Sequence, residues 1–198
     1  RRARKDVVIT SPYLIPGEAG LETFRNSVER YDVKYTLVTN SLAATDEPVV
    51  HTGYRRYRPE MLKLGMNLYE LSPQKVSRSL RLGRFSTSIG RLHAKSAVVD
   101  KERVFIGSMN FDPRSDQHNT EMGLFIHSPV LAQQVLKLVD VIRQQGAYKV
   151  VLAENGKDLV WTTTGPGGQE IVVEEPETDA WSRLMLEVLS VIAPEGLL

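Results

Sequence analysis

Arg91-Leu92-His93-Ala94-Lys95-Ser96-Ala97-Val98-Val99-Asp100 and the run that follows it, Arg103-Val104-Phe105-Ile106-Gly107-Ser108-Met109-Asn110, read as two strands around a polar turn. Successive strand residues alternate faces, so His93 and Lys95 share one. With Lys101-Glu102 as a two-residue turn and Asp100 facing Arg103, Lys95 falls opposite Ser108 and His93 opposite Asn110. Four polar side chains then converge on one patch. Ala97, Val99, Val104 and Ile106 continue that face as apolar core. Lys-Glu is a poor two-residue turn, so a longer loop or a bulge gives the competing register.

The clustering has a chemical meaning. An imidazole attacks phosphorus or gives and takes a proton near neutral pH. A lysine beside it offers a permanent cation to phosphoryl oxygens, and Ser108 and Asn110 add hydrogen-bond donors. The stretch has one histidine, no cysteine and no carboxylate pair at ligand spacing, so the expected chemistry uses no metal and no cofactor. A lone His-X-Lys is common and says little. The set His93, Lys95, Asp100, Gly107, Ser108, Asn110, Asn119 and Glu121 is hard to explain as packing.

Outward from the hairpin the chain alternates strand and helix. Val7–Thr10, Val33–Val38 and Asn67–Leu71 are rich in β-branched and apolar residues and end in Ser-Pro or Thr-Asn-Ser. Leu21–Arg30 and Tyr54–Leu64 between them read as helices, the second stopped by Gly65. This spacing implies βαβ units whose loops open on the carboxyl edge of the sheet, where ligands sit. Residues 74–91 carry Lys75, Arg78, Arg81, Arg84 and Arg91 with no acid, and read as a solvated loop or an anion-attracting flap. Glu121–His127 is a further strand and Pro129–Gln145 an amphipathic helix. Val150–Thr163 is a hairpin with Asn155-Gly156 at its tip. Glu170–Glu174 is a short strand, and Trp181–Ile192 a last helix that reads as core more than membrane-seeking. The expected fold is α/β, a mixed β-sheet flanked by helices. One domain covers 1–198, with a hairpin and helix extension at about 148–198.

Composition narrows the classes. The chain has 198 residues, 41% hydrophobic and 25% charged, as an ordinary globular domain has. A net charge of +1 provides no global basic field for nucleic acid. No cysteine is present, which excludes disulfides and thiolate chemistry. No apolar run reaches the roughly 18 residues of a membrane span. The start, Arg1-Arg2-Ala3-Arg4-Lys5-Asp6, has neither an initiator Met nor a signal-peptide core, and reads as a fragment of something longer.

His93-X-Lys95-X4-Asp100 with the trailing Gly107-Ser108-X-Asn110 resembles the phospholipase D superfamily motif. Ile9 to Pro16, Thr39 to Asp46, His51 to Arg58 and Asp112-Pro113-Arg114-Ser115 are similar to the second half of bacterial cardiolipin synthases, particularly the C-type subgroup. The resemblance implies a phospholipase D-like fold and a two-step phosphodiester transfer through a phosphohistidine. It implies catalytic roles for His93 and Lys95, phosphate binding by Ser108 and Asn110, and a Glu121 that orients a histidine. The motif's Asp100 is structural in such a family, and its place at the turn, on the other face from His93, agrees. The implied substrate is a phospholipid. The implied setting is the bacterial cytoplasm or the cytoplasmic face of the inner membrane, with peripheral membrane contact.

Such a mechanism needs two histidines. His51, His118 and His127 carry Gly53, Thr120 and Pro129 where the motif's lysine belongs, so the chain holds one usable histidine. The second motif is expected from an N-terminal half, or from a second copy across a twofold axis. By resemblance His93 is the general acid. Secondary candidates are Asn40, within Thr39-Asn40-Ser41 at the ligand edge, and Thr45-Asp46. His51, Tyr54 and Arg58 at a helix start are others. His118 reads as a surface residue. Two rival readings are a homodimeric single-motif nuclease, which the near-neutral charge disfavours, and a non-catalytic half-site.

Overall fold

The computed structural model describes residues 3–79, 90–165 and 167–178. The last expected helix, Trp181–Ile192, and most of the basic loop therefore lie outside the described residues. Three strands, β1 (Asp6–Thr10), β2 (Lys34–Asn40) and β3 (Asn67–Leu71), pair in parallel. Helices α1 (Gly17–Tyr31) and α2 (Pro48–Lys63) make the crossovers. β4 (Lys95–Val99), β5 (Arg103–Gly107) and β6 (Gly123–His127) extend the sheet antiparallel beyond β1. β7 (Ala147–Leu152), β8 (Leu159–Thr164) and β9 (Glu170–Val173) extend it beyond β3. The order is β6-β5-β4-β1-β2-β3-β7-β8-β9, one mixed sheet. The hairpin expected as an extension is thus part of the same sheet, through β7 on β3.

The two faces are covered differently. Val7, Ile9, Tyr35, Leu37 and Leu68 pack under α1 and α2 through Leu21, Phe24, Tyr57 and Met61. The other face holds Val8, Val98 and Val104 against Ala132 of α5 (Pro129–Val141), and Val38, Leu71 and Leu92 against Val139 of the same helix. Every strand is only four to seven residues long, so each contributes a few alternating side chains to each layer.

Several boundaries depart from the sequence reading. α2 begins at Pro48, six residues before the expected Tyr54, because Pro48 sits at the first helical position, where its missing N–H costs nothing. Its end is as read, with Gly65 at φ +77° just beyond. The start of the basic segment is not a loop: Pro73–Arg78 forms α3, capped by Ser72, whose Oγ accepts from the Lys75 N–H. The helix over Pro129–Gln145 is α-helical to Val141 and then makes one π-helical turn, Ile142–Gly146.

A buried polar network holds α2 to the sheet. Arg58 is almost fully buried, with Nε 2.9 Å from Glu70 Oε1, and donates from Nη1 to Glu175 at 3.0 Å. Tyr54 OH and Trp161 Nε1 also donate to Glu70, at 3.0 and 2.8 Å. Arg58 Nη2 lies 2.6 Å from His51 Nε2, and an arginine can only donate, so that nitrogen accepts and His51 is neutral. Burial, with the Arg58 charge beside it, pushes His51 down to about 4. Burial acts to raise Glu175, but His51, Arg58 and Arg55 outweigh it and hold the carboxyl at about 2.

Two expectations follow from this network. Arg58→Ala, which strands two buried carboxylates, costs about 3–5 kcal/mol of stability, measured by urea unfolding. Acid destabilises through two of the titrating members, His51 and Glu175. Unfolded His51 takes up a proton near its ordinary 6.5 and folded His51 only near 4, so its contribution is full above 6.5 and falls away through that window. The Glu175 contribution is present above its ordinary 4.5 and is lost as pH falls toward 2. His51→Gln therefore flattens the stability profile between pH 6.5 and 4.

Candidate active site

The β4–β5 register decides the site. Lys95 pairs with Gly107 and Val99 with Arg103, so the turn is three residues, Asp100-Lys101-Glu102, and not the expected two. Asp100 and Lys101 both take left-handed φ, +54° and +59°, and Glu102 N–H closes the turn on Val99 O. Asp100 occupies that conformation because its carboxylate is held from outside. It accepts the backbone N–H groups of Arg4, Lys5 and Asp6 at 3.0, 2.8 and 3.3 Å, and Arg103 Nη2 at 2.9 Å. Burial acts to raise its pKa, but these donors outweigh that and lower it. Asp100, one of the motif's polar set, is thus bonded into the framework at the foot of β1.

One residue of slip moves side chains across the sheet. Lys95, Ala97 and Val99 share a face with Arg103, Phe105 and Gly107, while Ser96 and Val98 share the other with Val104 and Ile106. The expected continuous face of Ala97, Val99, Val104 and Ile106 is therefore split: Val104 is buried under α5, and Ile106 is exposed. Lys95 does not face Ser108 across the ladder, nor His93 Asn110. The residue opposite Lys95 has to be a glycine, since a Cβ at Gly107 would lie 2.6 Å from Met122 O and 2.8 Å from the Phe105 ring.

His93 lies just before β4 and is exposed. Lys95 Nζ sits 3.4 and 3.5 Å from the two imidazole nitrogens and donates to His93 O at 3.0 Å. Partial burial lowers the Lys95 pKa, opposed by the carboxylates of Glu121, Asp46 and Asp112. Ser108 Oγ donates to Glu121 and accepts the Met122 N–H at 3.0 Å. Glu121 was expected to orient a histidine; here it fixes the Ser108 hydroxyl and makes no bond to His93. Asn110 borders a cavity of about 340 Å³ with Ile15, Met109 and Phe111, and its Oδ1 is buried without a partner among the described residues.

The secondary candidates divide. His51 and Tyr54, expected to bind substrate, are 5% and 2% exposed and bonded into the α2 network. Neither is open to a ligand, because the helix starts early enough to turn both inward. Asn40, expected at the ligand edge, is also buried, and both ends of its amide bond the backbone of Leu92. His118 is exposed, as read. Tyr13 and Asp112, unassigned in the sequence reading, are tied to the surroundings of Lys95, on which the Asp46 and Asp112 carboxylates act. Tyr13 OH donates to Asp46 at 2.9 Å, and burial followed by that carboxylate raises its pKa. Asp112 caps α4 (Pro113–Gln117) through the Ser115 N–H, a signal visible in Asp-Pro-X-Ser.

Among the described residues no three His, Cys, Asp or Glu side chains cluster closely enough to hold a metal ion, and no helix is long and apolar enough to cross a membrane.

Residues 1–142 match the family model described as cardiolipin synthase, PLD-like domain. The chain is similar to Cardiolipin synthase C of Escherichia coli (strain K12), 40% identical over 192 residues, covering 96% of this chain and 40% of that protein. It therefore spans about two fifths of the length of that relative. Among solved structures it resembles phosphatidylserine synthase from Haemophilus influenzae Rd KW20, with TM-score 0.58 and 14% identity, covering 99% of this chain and 41% of that one. Nuc from Salmonella typhimurium, a phospholipase D family member, matches with TM-score 0.53 and 18% identity over 73% of this chain and 81% of that one. At those identities the structural likeness speaks for the fold.

Structure and chemistry separate cleanly in two substitutions. Asp100→Asn costs about 2 kcal/mol in urea unfolding, because it weakens bonds from three amides and an arginine. His93→Asn, at an exposed position, changes stability by no more than about 0.5 kcal/mol.

Proposed function

This chain belongs to the PLD-like domain family of the cardiolipin synthases, and on that footing we propose that it supplies one catalytic motif of a metal-independent phosphatidyltransferase acting on phospholipids. The observation that carries this reading is the Lys95 ammonium held against both nitrogens of His93, in the field of the Glu121 that fixes Ser108. A phosphoryl group lying over this pair finds a cation, a hydroxyl and an imidazole able to move a proton.

In the proposed sequence a second histidine attacks phosphorus. The phosphorus–oxygen bond to the first alcohol breaks, and His93 protonates the departing oxygen. The acceptor hydroxyl then gives its proton to His93 as its oxygen attacks phosphorus, and the phosphorus–nitrogen bond breaks. Lys95 offsets the charge on the non-bridging oxygens in both steps, and Ser108 and Asn110 orient them. The acceptor displaces water only if the site is closed.

The second histidine comes from a partner, either another motif-bearing half or a second copy of this chain. His51 is buried and neutral, and His118 and His127 lack the lysine, which supports that part of the reading. A surface for such a partner adjoins the motif. β6 is an edge strand whose Leu124 and Phe125 are 64% and 87% exposed and, being consecutive, point to opposite faces of the sheet. Met122, 80% exposed, bonds Ser108 through its backbone. Apolar groups on both sides of an edge suit a protein partner that wraps it. Peripheral contact with the cytoplasmic face of a bacterial inner membrane follows from the proposed substrate, and no nucleic acid is involved.

In a protein carrying both motifs, His93→Asn lowers the conversion of phosphatidylglycerol to cardiolipin by about 10²–10⁴-fold, and chelation by EDTA leaves it unchanged. Retention of activity by His93→Asn, or turnover by a strictly monomeric chain, overturns the reading. Phe125→Glu weakens association in sedimentation equilibrium without lowering the melting temperature, and single-stranded DNA cleavage by a purified dimer would instead favour a nuclease.

A further inference from the structure

We infer that Asn40 is a positioning residue for His93, acting through Leu92; the inference rests on the reading of His93 as the working histidine. The backbone around His93 lacks ordinary strand support. β4 begins only at Lys95, and its ladder with β1 ends at the pair Thr10–Ser96. Further along, the β1 side continues into Ser11-Pro12, whose proline has no N–H to give and whose serine N–H is already donated to Val38 O. Residues 91–94, which include His93, carry no ladder bonds of their own.

Asn40 fills that gap. It is the last residue of β2, the strand beyond β1, and projects past the point where β1 stops. Its Nδ2 donates to Leu92 O at 3.1 Å, and its Oδ1 accepts the Leu92 N–H at 2.8 Å. A carboxamide has the donor and acceptor of a peptide unit, so the side chain stands in for the neighbouring strand that the sheet lacks here. The pair is buried, with Asn40 2% exposed, and the Leu92 side chain is anchored among Val38, Leu71, Val76 and Val139. The residue before His93 is thereby fixed on both its backbone groups and its side chain. Lys95 Nζ on His93 O fixes the other side. His93 itself remains exposed, on a backbone held by hydrogen bonds at Leu92 and at its own carbonyl.

The requirement is for one donor and one acceptor together. Aspartate is isosteric and meets it only when protonated. Ionised, it repels Leu92 O, and burial beside a carbonyl raises its pKa into an accessible range.

NMR of the histidine rings and of the Leu92 amide in this chain provides the test. In Asn40→Ala the Leu92 amide exchanges about tenfold faster, and the His93 ring signals move while those of exposed His118 and His127 stay. In Asn40→Asp the His93 signals coincide with the parent's at acid pH and depart from them as the introduced carboxyl ionises. In a protein carrying both motifs, kcat of Asn40→Asp relative to the parent rises as pH falls, with KM little changed. A His93 signature that follows the parent at every pH in both variants, with the Leu92 amide released, overturns the inference. So does a pH-independent activity ratio. If Asn40→Ala does not fold, the pH dependence of Asn40→Asp decides alone. Activity surviving His93→Asn would defeat the catalytic reading of His93, whereas the ring signals test the Asn40 linkage separately.

Discussion

One carboxylate sets the geometry on which the site depends. Asp100 holds a three-residue turn in left-handed backbone and at the same time accepts the amides of Arg4, Lys5 and Asp6 at the foot of β1. The turn length fixes the β4–β5 register, and the amide bonds fix the hairpin against the central strands. From that register follow the face that Lys95 occupies, the need for Gly107 opposite it, and the burial of Val98 and Val104 under α5. An ionised carboxylate suits the task because it accepts several donors at once, which a neutral side chain of that size cannot. The aspartate of the motif thus anchors the hairpin whose first strand follows His93.

A second polar device organises the other half of the sheet. Arg58 joins Glu70 on β3 to Glu175, which follows β9, while Tyr54 and Trp161 complete the bonds of Glu70. Burying charge in this way stabilises weakly at best compared with an apolar filling of the same volume. What it provides is directional: α2, β3, β8 and the segment after β9 meet in one arrangement that pairs the Arg58 guanidinium with both carboxylates. The motif's polar pair and the buried network are therefore separated along the sheet, with exposed His93 and half-buried Lys95 at the β4 end and the network under α2.

That separation explains which residues the sequence misassigned. His51, Tyr54 and Asn40 are polar and fall near the expected ligand edge, where chemistry and framework use the same residue types. Nothing local distinguishes a tyrosine that reaches a ligand from one that reaches Glu70. The helix start was missed by six residues because the run Pro48 to Gly53 lacks the apolar periodicity of a helix, although a proline at its first position is a recognisable signal. Ser72 and Asp112 capped helices that were likewise legible in Ser-Pro and Asp-Pro-X-Ser.

By itself the sequence determined the α/β class, the alternation of strands and helices, the Asn155-Gly156 hairpin and the motif with His93 and Lys95 two residues apart. These follow from local rules: alternation, turn preferences and residue chemistry act over a few neighbouring positions. Only the tertiary structure decided the register of the β4–β5 hairpin, the inward turn of His51 and Tyr54, and the partners of Asp100 and Asn40. Asn40 and Leu92 are 52 residues apart, Arg4 and Asp100 96, and Arg58 and Glu175 117. A side chain's partner at such separations is set by where strands cross and end in space, and a three-residue turn replaced a two-residue one because distant backbone amides were there to hold Asp100.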